Sequence, residues 1–182
     1  MIITEAEEQH IPAIHAIYAW HVANGTASFE TEVPAISDMR ARWLKLCEAG
    51  LPWFVLMDEG VVKGYCYLSR YRTRMAYQFT LEDSIYVDEN FRHRGAGKAL
   101  LAKSIEWAER QGYRQLVAVV GNSENEASLA LHQRAGFTLT GTLKNVGFKH
   151  GRWLDIVILQ RTLGEGALTL PQDSANVVSA CA

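Results

Sequence analysis

Two glycines one residue apart, with basic residues on both sides, mark the segment RHRGAGKAL at residues 92–100. Glycine lets a backbone approach a ligand closely, and the helix-forming run KALLAKSIEWAERQG that follows has free N–H groups to offer at its N-terminus. Arg92, Arg94 and Lys98 add positive charge. The combination indicates a phosphate site, although a glycine turn that only caps a helix has the same composition.

Two familiar nucleotide loops match this segment poorly. A nucleotide P-loop needs a glycine five residues before Gly97 and a Ser or Thr after Lys98. Here those two positions hold Arg92 and Ala99, and alanine cannot ligate magnesium. A dinucleotide loop needs a third glycine where Leu100 stands, inside an N-terminal βαβ unit. Neither a nucleoside triphosphate nor a dinucleotide is therefore favoured as the ligand.

Apolar periodicity predicts the elements that position this loop. Before the loop, MIIT reads as a short strand, and helices follow in EEQHIPAIHAIYAWHVANG and SDMRARWLKLCEAG, the second with Ser37 as its N-cap. The segment PWFVLMDEGVVKGYCYLSRY reads as two strands joined by a turn, and RTRMAYQFTLEDSIYVDENF reads as one or two more. The loop thus follows a strand directly.

Behind the loop, helices and strands alternate. A helix over about residues 97–111 precedes RQLVAVVG, whose continuous apolar run indicates a central strand buried on both faces. SENEASLALHQRAG predicts a helix with a capping box at Ser123 and Glu126, and two strands follow it. The fold class is therefore α/β, a mixed, largely antiparallel twisted sheet flanked by helices in the order β-α-α-β-β-β-α-β-α-β-β.

Length, charge and cysteine content set the class of protein. The 182 residues predict one domain over 1–163 and a poorly ordered tail over 164–182. A net charge of −2 argues against a nucleic-acid-binding surface, and no apolar run reaches the length of a membrane span. The three cysteines, Cys47, Cys66 and Cys181, have no metal-like spacing, so we expect no metal site and a cytoplasmic protein.

A third loop pattern fits every position. Arg92, Gly95 and Gly97 form R-x-x-G-x-G after the strand SIYVDENF, which resembles the acetyl-CoA motif of the GNAT superfamily of N-acetyltransferases. The run NEASLALHQRAGF resembles the N-x-x-A-x-x-x-Y-x-x-x-G-F helix of that superfamily, with His132 in place of the tyrosine. Histidine titrates near neutrality and can move protons, although a lone histidine on a helix can equally be structural.

Longer segments resemble one branch of this superfamily, the phosphinothricin and methionine sulfoximine acetyltransferases. The similarity runs from about residue 3 to residue 161, and a histidine at position 132 is typical of the branch. The resemblance implies a GNAT-like fold, a homodimer, acetyl-CoA as co-substrate, and acetylation of the α-amine of a small amino-acid analogue. It also implies Glu82 as base, directly or through water, and His132 as a second proton-transfer group, either base or acid.

The resemblance assigns further residues to binding. The pantetheine arm would pair with the backbone of a strand, the pyrophosphate with loop amides, and an asparagine would lie beside them. These residues are Ile85, Tyr86, Val87, Arg92, His93, Arg94, Gly95, Ala96, Gly97, Lys98 and Asn125. The substrate residues are Arg72, Thr73, Arg74, Glu82, Asp83 and Ser84, where guanidinium groups suit a carboxylate or phosphinate.

Several interpretations stay open at this point. The arginines at 72 and 74 also fit a solvated edge strand, Asn125 also fits a helix cap, and Phe29 fits either a pocket wall or the core. Two other functions are a peptide or protein N-terminal acetyltransferase and a non-catalytic CoA-binding module. A peptide has no free α-carboxylate for Arg72 or Arg74 to hold, and a module has no need of Glu82 and His132.

Overall fold

The structure is a computed structural model that describes residues 1–171. Within that range the elements follow the predicted order β-α-α-β-β-β-α-β-α-β-β. The strands are β1 (Ile2–Glu5), β2 (Trp53–Asp58), β3 (Val61–Arg70), β4 (Thr80–Val87), β5 (Gln115–Gly121), β6 (Thr138–Lys149) and β7 (Arg152–Thr162). The helices are α1 (Ile11–Asn24), α2 (Ile36–Glu48), α3 (Ala96–Arg110) and α4 (Glu126–Arg134).

The strands form one sheet in the order β1-β2-β3-β4-β5-β7-β6. Every neighbouring pair is antiparallel except β4 with β5, which is parallel. The predicted largely antiparallel sheet is confirmed, and RQLVAVVG is a central strand as expected. Pairing of β4 with β5 covers Thr80–Asp83 and Gln115–Ala118 and then stops, although both strands continue. The two strands therefore separate into a V-shaped gap.

Alternation along the strands gives the sheet two apolar faces. Trp53, Val55 and Tyr65 pack under α1 and α2. Side chains on the opposite face of the strands, such as Leu68 and Leu81, pack under α3. The helices divide in the same way, because α3 buries Leu100, Leu101, Ser104, Ile105 and Ala108 at helical spacing. The sheet thus has an α1/α2 face and an α3/α4 face.

Two predicted helix caps are wrong. Helix α2 begins at Ile36, one residue before Ser37, and Asp38 Oδ2 accepts a hydrogen bond from the Ala35 N–H at 3.1 Å. Helix α4 is capped by Asn125, whose Oδ1 accepts from the Ser128 N–H at 3.3 Å. The Ser123 hydroxyl instead donates to Asp155 at 2.9 Å, so a tertiary partner outcompetes the local capping box.

The segment from residue 72 to residue 91 holds one strand, β4, rather than two. Residues 72–74 form a bend that leads into a short 3-10 turn at Met75–Tyr77, so the extended geometry considered for Arg72 and Arg74 is absent there.

The described part of the tail, residues 164–171, lies against Arg114, which donates to the backbone oxygens of Gly166 and Leu170 at 3.1 and 3.2 Å. The rest of the predicted tail, 172–182, lies outside the described residues. No helix in residues 1–171 has the length and apolar character needed to cross a bilayer.

Candidate active site

Strand β4 carries ionisable residues on both of its faces. Its residues alternate, so Glu82, Ser84 and Tyr86 face α1 and α2, whereas Asp83 faces α3 and α4. The cross-strand partners of Glu82, Ser84 and Tyr86 on β3 are Ser69, Tyr67 and Tyr65. The predicted site residues are thus divided between two compartments by the sheet.

Glu82 lies in a cavity of about 380 Å³ on the α1/α2 face. The walls come from the loop after α1, from β4, from the end of β5 and from the β6–β7 hairpin. The lining residues are Ala27, Ser28, Phe29, Glu82, Ser84, Tyr86, Val119, Gly121, Val146 and Ile156. Burial raises the pKa of Glu82, the Asp83 charge raises it further, and the Arg72 cation acts in the opposite direction. A half-buried carboxylate with a raised pKa is suited to accept a proton near neutral pH.

His132 lies in the second compartment, on the α3/α4 face, and only 4% of it is exposed. Its Nε2 is 2.9 Å from Asp83 Oδ2 and its Nδ1 is 2.8 Å from the Ser128 carbonyl oxygen. A carbonyl and a carboxylate both accept, so the ring donates from both nitrogens. Burial lowers the pKa of His132, but these two acceptors outweigh burial and the net pKa is raised. The ring therefore favours the imidazolium form.

The glycine loop meets the gap between β4 and β5. Gly95 caps α3 in the left-handed region with φ 82°, a conformation that glycine adopts without strain. Gly97 serves helix packing, because a Cβ there would be 3.3 Å from Leu131 Cδ2 on α4. The first amides of α3 have no partner within the helix, so they are available to an anion. The loop joins this helix end to the open edge of β4.

Aromatic rings support the two arginines of the loop. The Arg92 guanidinium carbon lies 4.8 Å from the centre of the Trp20 ring on α1, and that of Arg94 lies 5.0 Å from the Phe91 ring. His21, next to Trp20, is 2.8 Å from the Val87 carbonyl oxygen at the end of β4. The last turn of α1 therefore contacts both the loop and the strand that precedes it. The sequence pattern had assigned no role to either α1 residue.

Arg72, Thr73 and Arg74 lie in the exposed bend between β3 and β4. The Arg72 guanidinium carbon stacks 4.6 Å from the Tyr71 ring centre, and its charge acts on Glu82. Arg74 precedes the short 3-10 turn. The structure thus brings Arg72 toward Glu82, while Asp83 lies across the strand beside His132. Asn125 lies at the start of α4, where its capping role is confirmed.

A network that sequence motifs did not indicate holds the cavity loop at residues 26–30 in place. Tyr18 OH is 2.8 Å from Ser28 Oγ and also donates to Glu30, and Arg42 binds both oxygens of Glu30 at 2.9 and 2.6 Å. The ammonium of Lys149, a residue only 3% exposed, donates to the Ser28 carbonyl at 2.8 Å. These residues lack a local motif, since the paired residues are 10 to 121 positions apart in the chain.

No three His, Cys, Asp or Glu side chains in residues 1–171 are grouped so that they could hold a metal ion.

Known proteins are similar to this chain in sequence and in fold. The model of the acetyltransferase (GNAT) family matches residues 14–137. The chain is 50% identical over 165 residues to a phosphinothricin N-acetyltransferase from Alcaligenes faecalis, with 91% of this chain and 84% of that protein covered. It is 35% identical over 168 residues to the L-methionine sulfoximine/L-methionine sulfone acetyltransferase of Salmonella typhimurium, with 92% and 97% covered.

A crystal structure of a GNAT superfamily phosphinothricin acetyltransferase from Sinorhizobium meliloti, in complex with AcCoA, has the same fold. Its TM-score against this chain is 0.93 at 40% identity, and the match covers 97% of this chain and 95% of that one. The family match also includes the gap between β4 and β5, the glycine loop, most of α1 with His21, and α4 with His132. On these grounds the chain belongs to the acetyltransferase (GNAT) family.

Proposed function

We propose that this chain transfers the acetyl group of acetyl-CoA to the α-amine of a small amino-acid analogue, such as L-methionine sulfoximine, methionine sulfone or phosphinothricin. The observation that carries the proposal is the Glu82 carboxylate, with its raised pKa, in a cavity next to the gap between β4 and β5. The names of the relatives in Alcaligenes faecalis and Salmonella typhimurium support this substrate class.

The open edge of β4 supports binding of the pantetheine arm. Beyond Asp83 the strand pairs with β3 alone, so backbone groups of Ile85, Tyr86 and Val87 that face β5 have no strand partner in residues 1–171. An extended ligand with two amide groups can add to such an edge as a further strand does. The similar crystal structure from Sinorhizobium meliloti, which contains AcCoA, supports this choice of ligand.

The turn into α3 supports binding of the pyrophosphate. The left-handed conformation of Gly95 and the free amides at the N-terminus of α3 suit an anion. A cation–π contact with Trp20 holds Arg92 at the start of the loop. We assign to this group the backbone of His93, Arg94, Gly95, Ala96, Gly97 and Lys98. Asn125 is assigned to the same ligand, from the start of α4.

Proton transfer falls to groups on both sides of the strand. Acetyl-CoA supplies the acetyl group as a thioester. Glu82 accepts the proton of the substrate ammonium, directly or through a water, and the free amine attacks the carbonyl carbon. The C–N bond forms, the C–S bond breaks, the new amide nitrogen releases its second proton to water, and the departing thiolate takes up a proton. We assign that proton to His132, because a ring that donates from both nitrogens has no lone pair to act as a base.

The arginine bend supports recognition of the substrate carboxylate. The charge of Arg72 acts on Glu82, and Thr73 and Arg74 follow Arg72 in the same bend. Guanidinium groups bind carboxylates with two parallel hydrogen bonds. Asp83 faces α4, so we assign it to His132 and not to direct contact with the amine. The substrate would therefore place its amine at Glu82 and its carboxylate toward residues 72–74.

The experiment is an acetyl-transfer assay with a panel of amines, followed by thiol release from acetyl-CoA. We expect release with L-methionine sulfoximine, L-methionine sulfone and phosphinothricin, and little with their N-acetyl derivatives, which have no free amine. Release only with peptides that have a free N-terminus would favour the peptide acetyltransferase instead. Binding of acetyl-CoA without release for any amine would indicate a non-catalytic module.

We also propose that the enzyme is a cytoplasmic homodimer. Leu139, Leu143, Phe148 and Trp153 on the β6–β7 hairpin are each about half exposed or more, and Val146 beside them lines the cavity. Large apolar side chains left exposed on one hairpin favour a partner surface, and we place a second copy of the chain there. Light scattering on the purified protein tests it, since a monomer mass would contradict the dimer.

A further inference from the structure

Phe29 forms one wall of the cavity that contains Glu82. It lies in the loop between α1 and α2, and 37% of the residue is exposed. The ring faces Gly121 at the end of β5 and Gly147 near the end of β6. Phenylalanine on an exposed loop is usually free to turn, so its fixed position beside two glycines needs an explanation.

The two glycines provide the space that the ring occupies. A Cβ at Gly147 would overlap the Phe29 ring, with Cδ2 at 2.6 Å and Cζ at 2.9 Å. A Cβ at Gly121 would lie 2.8 Å from the backbone oxygens of Thr26 and Ala27, and 2.9 Å from Phe29 Cε1. Neither glycine has a positive φ, so backbone conformation does not require glycine at these positions. Contact with the loop and its ring does require it.

The residues on either side of Phe29 are held in place. Ser28 is bound through its carbonyl by Lys149 at 2.8 Å and through its hydroxyl by Tyr18 at 2.8 Å. Glu30 is bound by both nitrogens of Arg42. The chain is anchored on both sides of Phe29, so the loop is held in place. A Phe29 ring pushed away from the two glycines therefore changes its position in the cavity.

We propose that Phe29, seated on Gly147 and Gly121, sets the size limit for the side chain of the amine substrate. The inference rests on the proposed function, since it assigns the cavity to the amine. The ring occupies space that a longer side chain needs, and pocket size discriminates by roughly ten- to 200-fold for each methylene group. The chemical class selected is therefore an amino-acid analogue with a short group at the end of its side chain.

The test compares methionine sulfoximine with buthionine sulfoximine, which differ only in the alkyl group on sulfur. We expect wild type to prefer the methyl compound and Phe29→Ala to shift the ratio of kcat/KM values toward the butyl compound by about tenfold or more. Gly147→Ala should lower kcat/KM for both amines by about tenfold while the KM for acetyl-CoA stays unchanged. Gly141→Ala is the matched control, because it lies on the same strand with no atom within 4 Å of its Cβ position.

A double variant separates displacement of the ring from general damage to the fold. If Gly147→Ala acts by pushing the ring, Phe29→Ala with Gly147→Ala should regain the activity of Phe29→Ala to within about threefold. Gly121→Ala should not be rescued in this way, because backbone oxygens also oppose its Cβ.

An unchanged methyl-to-butyl ratio in Phe29→Ala, or no rescue of Gly147→Ala, would overturn the inference. If Gly147→Ala does not fold, the Phe29→Ala ratio decides alone. A wild-type enzyme that acetylates no amine would overturn the proposed function and the size limit together, whereas an unchanged ratio in Phe29→Ala would overturn the size limit alone.

Discussion

The two faces of β4 solve different problems with neighbouring carboxylates. Glu82 faces a cavity and has no hydrogen-bond partner among the described residues, and burial raises its pKa. Asp83, one residue later, is buried against His132 and forms an ion pair whose side chains are 2% and 6% exposed. A carboxylate kept unpaired is available for proton transfer, whereas a paired carboxylate holds its partner's proton and position. The sheet therefore separates an unpaired carboxylate from a paired one at two adjacent positions of β4.

The largest expected effect comes from removing the unpaired carboxylate. Glu82→Gln should lower kcat by about 10²- to 10⁴-fold with a much smaller change in KM, as loss of a proton-transfer group does. Steady-state kinetics measures it, and Glu126→Gln, an exposed carboxylate in the first turn of α4, is the control. An unchanged kcat would show that Glu82 does not transfer the proton, and the contrast between Glu82 and Asp83 would then have no catalytic meaning.

The same substitution should stabilise the fold. Because burial raises the pKa of Glu82, the folded chain binds more protons than the unfolded chain, and stability falls as pH rises from about 4.5 through the raised pKa. Above that window, Glu82→Gln should gain about 0.5–1 kcal/mol in unfolding free energy, and the gain should disappear at acid pH. Urea titration at two pH values measures both.

On the paired face we expect a loss of stability that exceeds the gain from Glu82→Gln. Asp83→Asn leaves His132 without its buried partner and should lower the unfolding free energy by about 3 kcal/mol. The pKa of His132 is raised in the fold, so the pair's contribution is complete below about pH 6.5 and is lost as pH rises through the raised pKa. The difference in unfolding free energy between wild type and Asp83→Asn should therefore become smaller in alkaline solution.

An exposed ion pair provides the comparison for Asp83→Asn. Arg110 and Glu106 are four residues apart on α3, with Arg110 71% exposed, so Arg110→Ala should change stability by no more than about 0.5 kcal/mol. A loss in Asp83→Asn no larger than this, or one independent of pH, would contradict the buried pair.

The smallest expected effects distinguish the two arginines of the bend. Arg74→Ala should raise the KM for the amine by roughly three- to tenfold and leave the KM for acetyl-CoA unchanged, as loss of an exposed ionic contact does. Arg72→Ala should do the same and also move the acidic limb of the pH profile upward, because the Arg72 cation lowers the pKa of Glu82. A change in the KM for acetyl-CoA alone would show that the carboxylate assignment is wrong.

Local pattern alone was sufficient for the order of elements, the glycine loop and the strand that feeds it. These depend on apolar periodicity, on glycine conformation and on residues close in sequence, which a single chain displays directly. The roles predicted for Glu82 and His132 came instead from the resemblance to the acetyltransferase branch. The error at the cap of α4 came where a distant partner competed with a local one, because Asp155 accepts the hydrogen bond of the Ser123 hydroxyl.

Tertiary structure decided which groups meet. Because side chains alternate along a strand, Glu82 and Asp83 face opposite sides of the sheet. Only the tertiary structure shows that Glu82 lines a cavity and that Asp83 contacts His132. The loop network of Tyr18, Glu30, Arg42 and Lys149, and the seat of Phe29, join residues up to 121 positions apart. Contacts of that range depend on the path of the backbone, which sequence spacing does not encode. Glu82 and His132 could therefore be singled out from the sequence, whereas the shape of the cavity beside Glu82 could not.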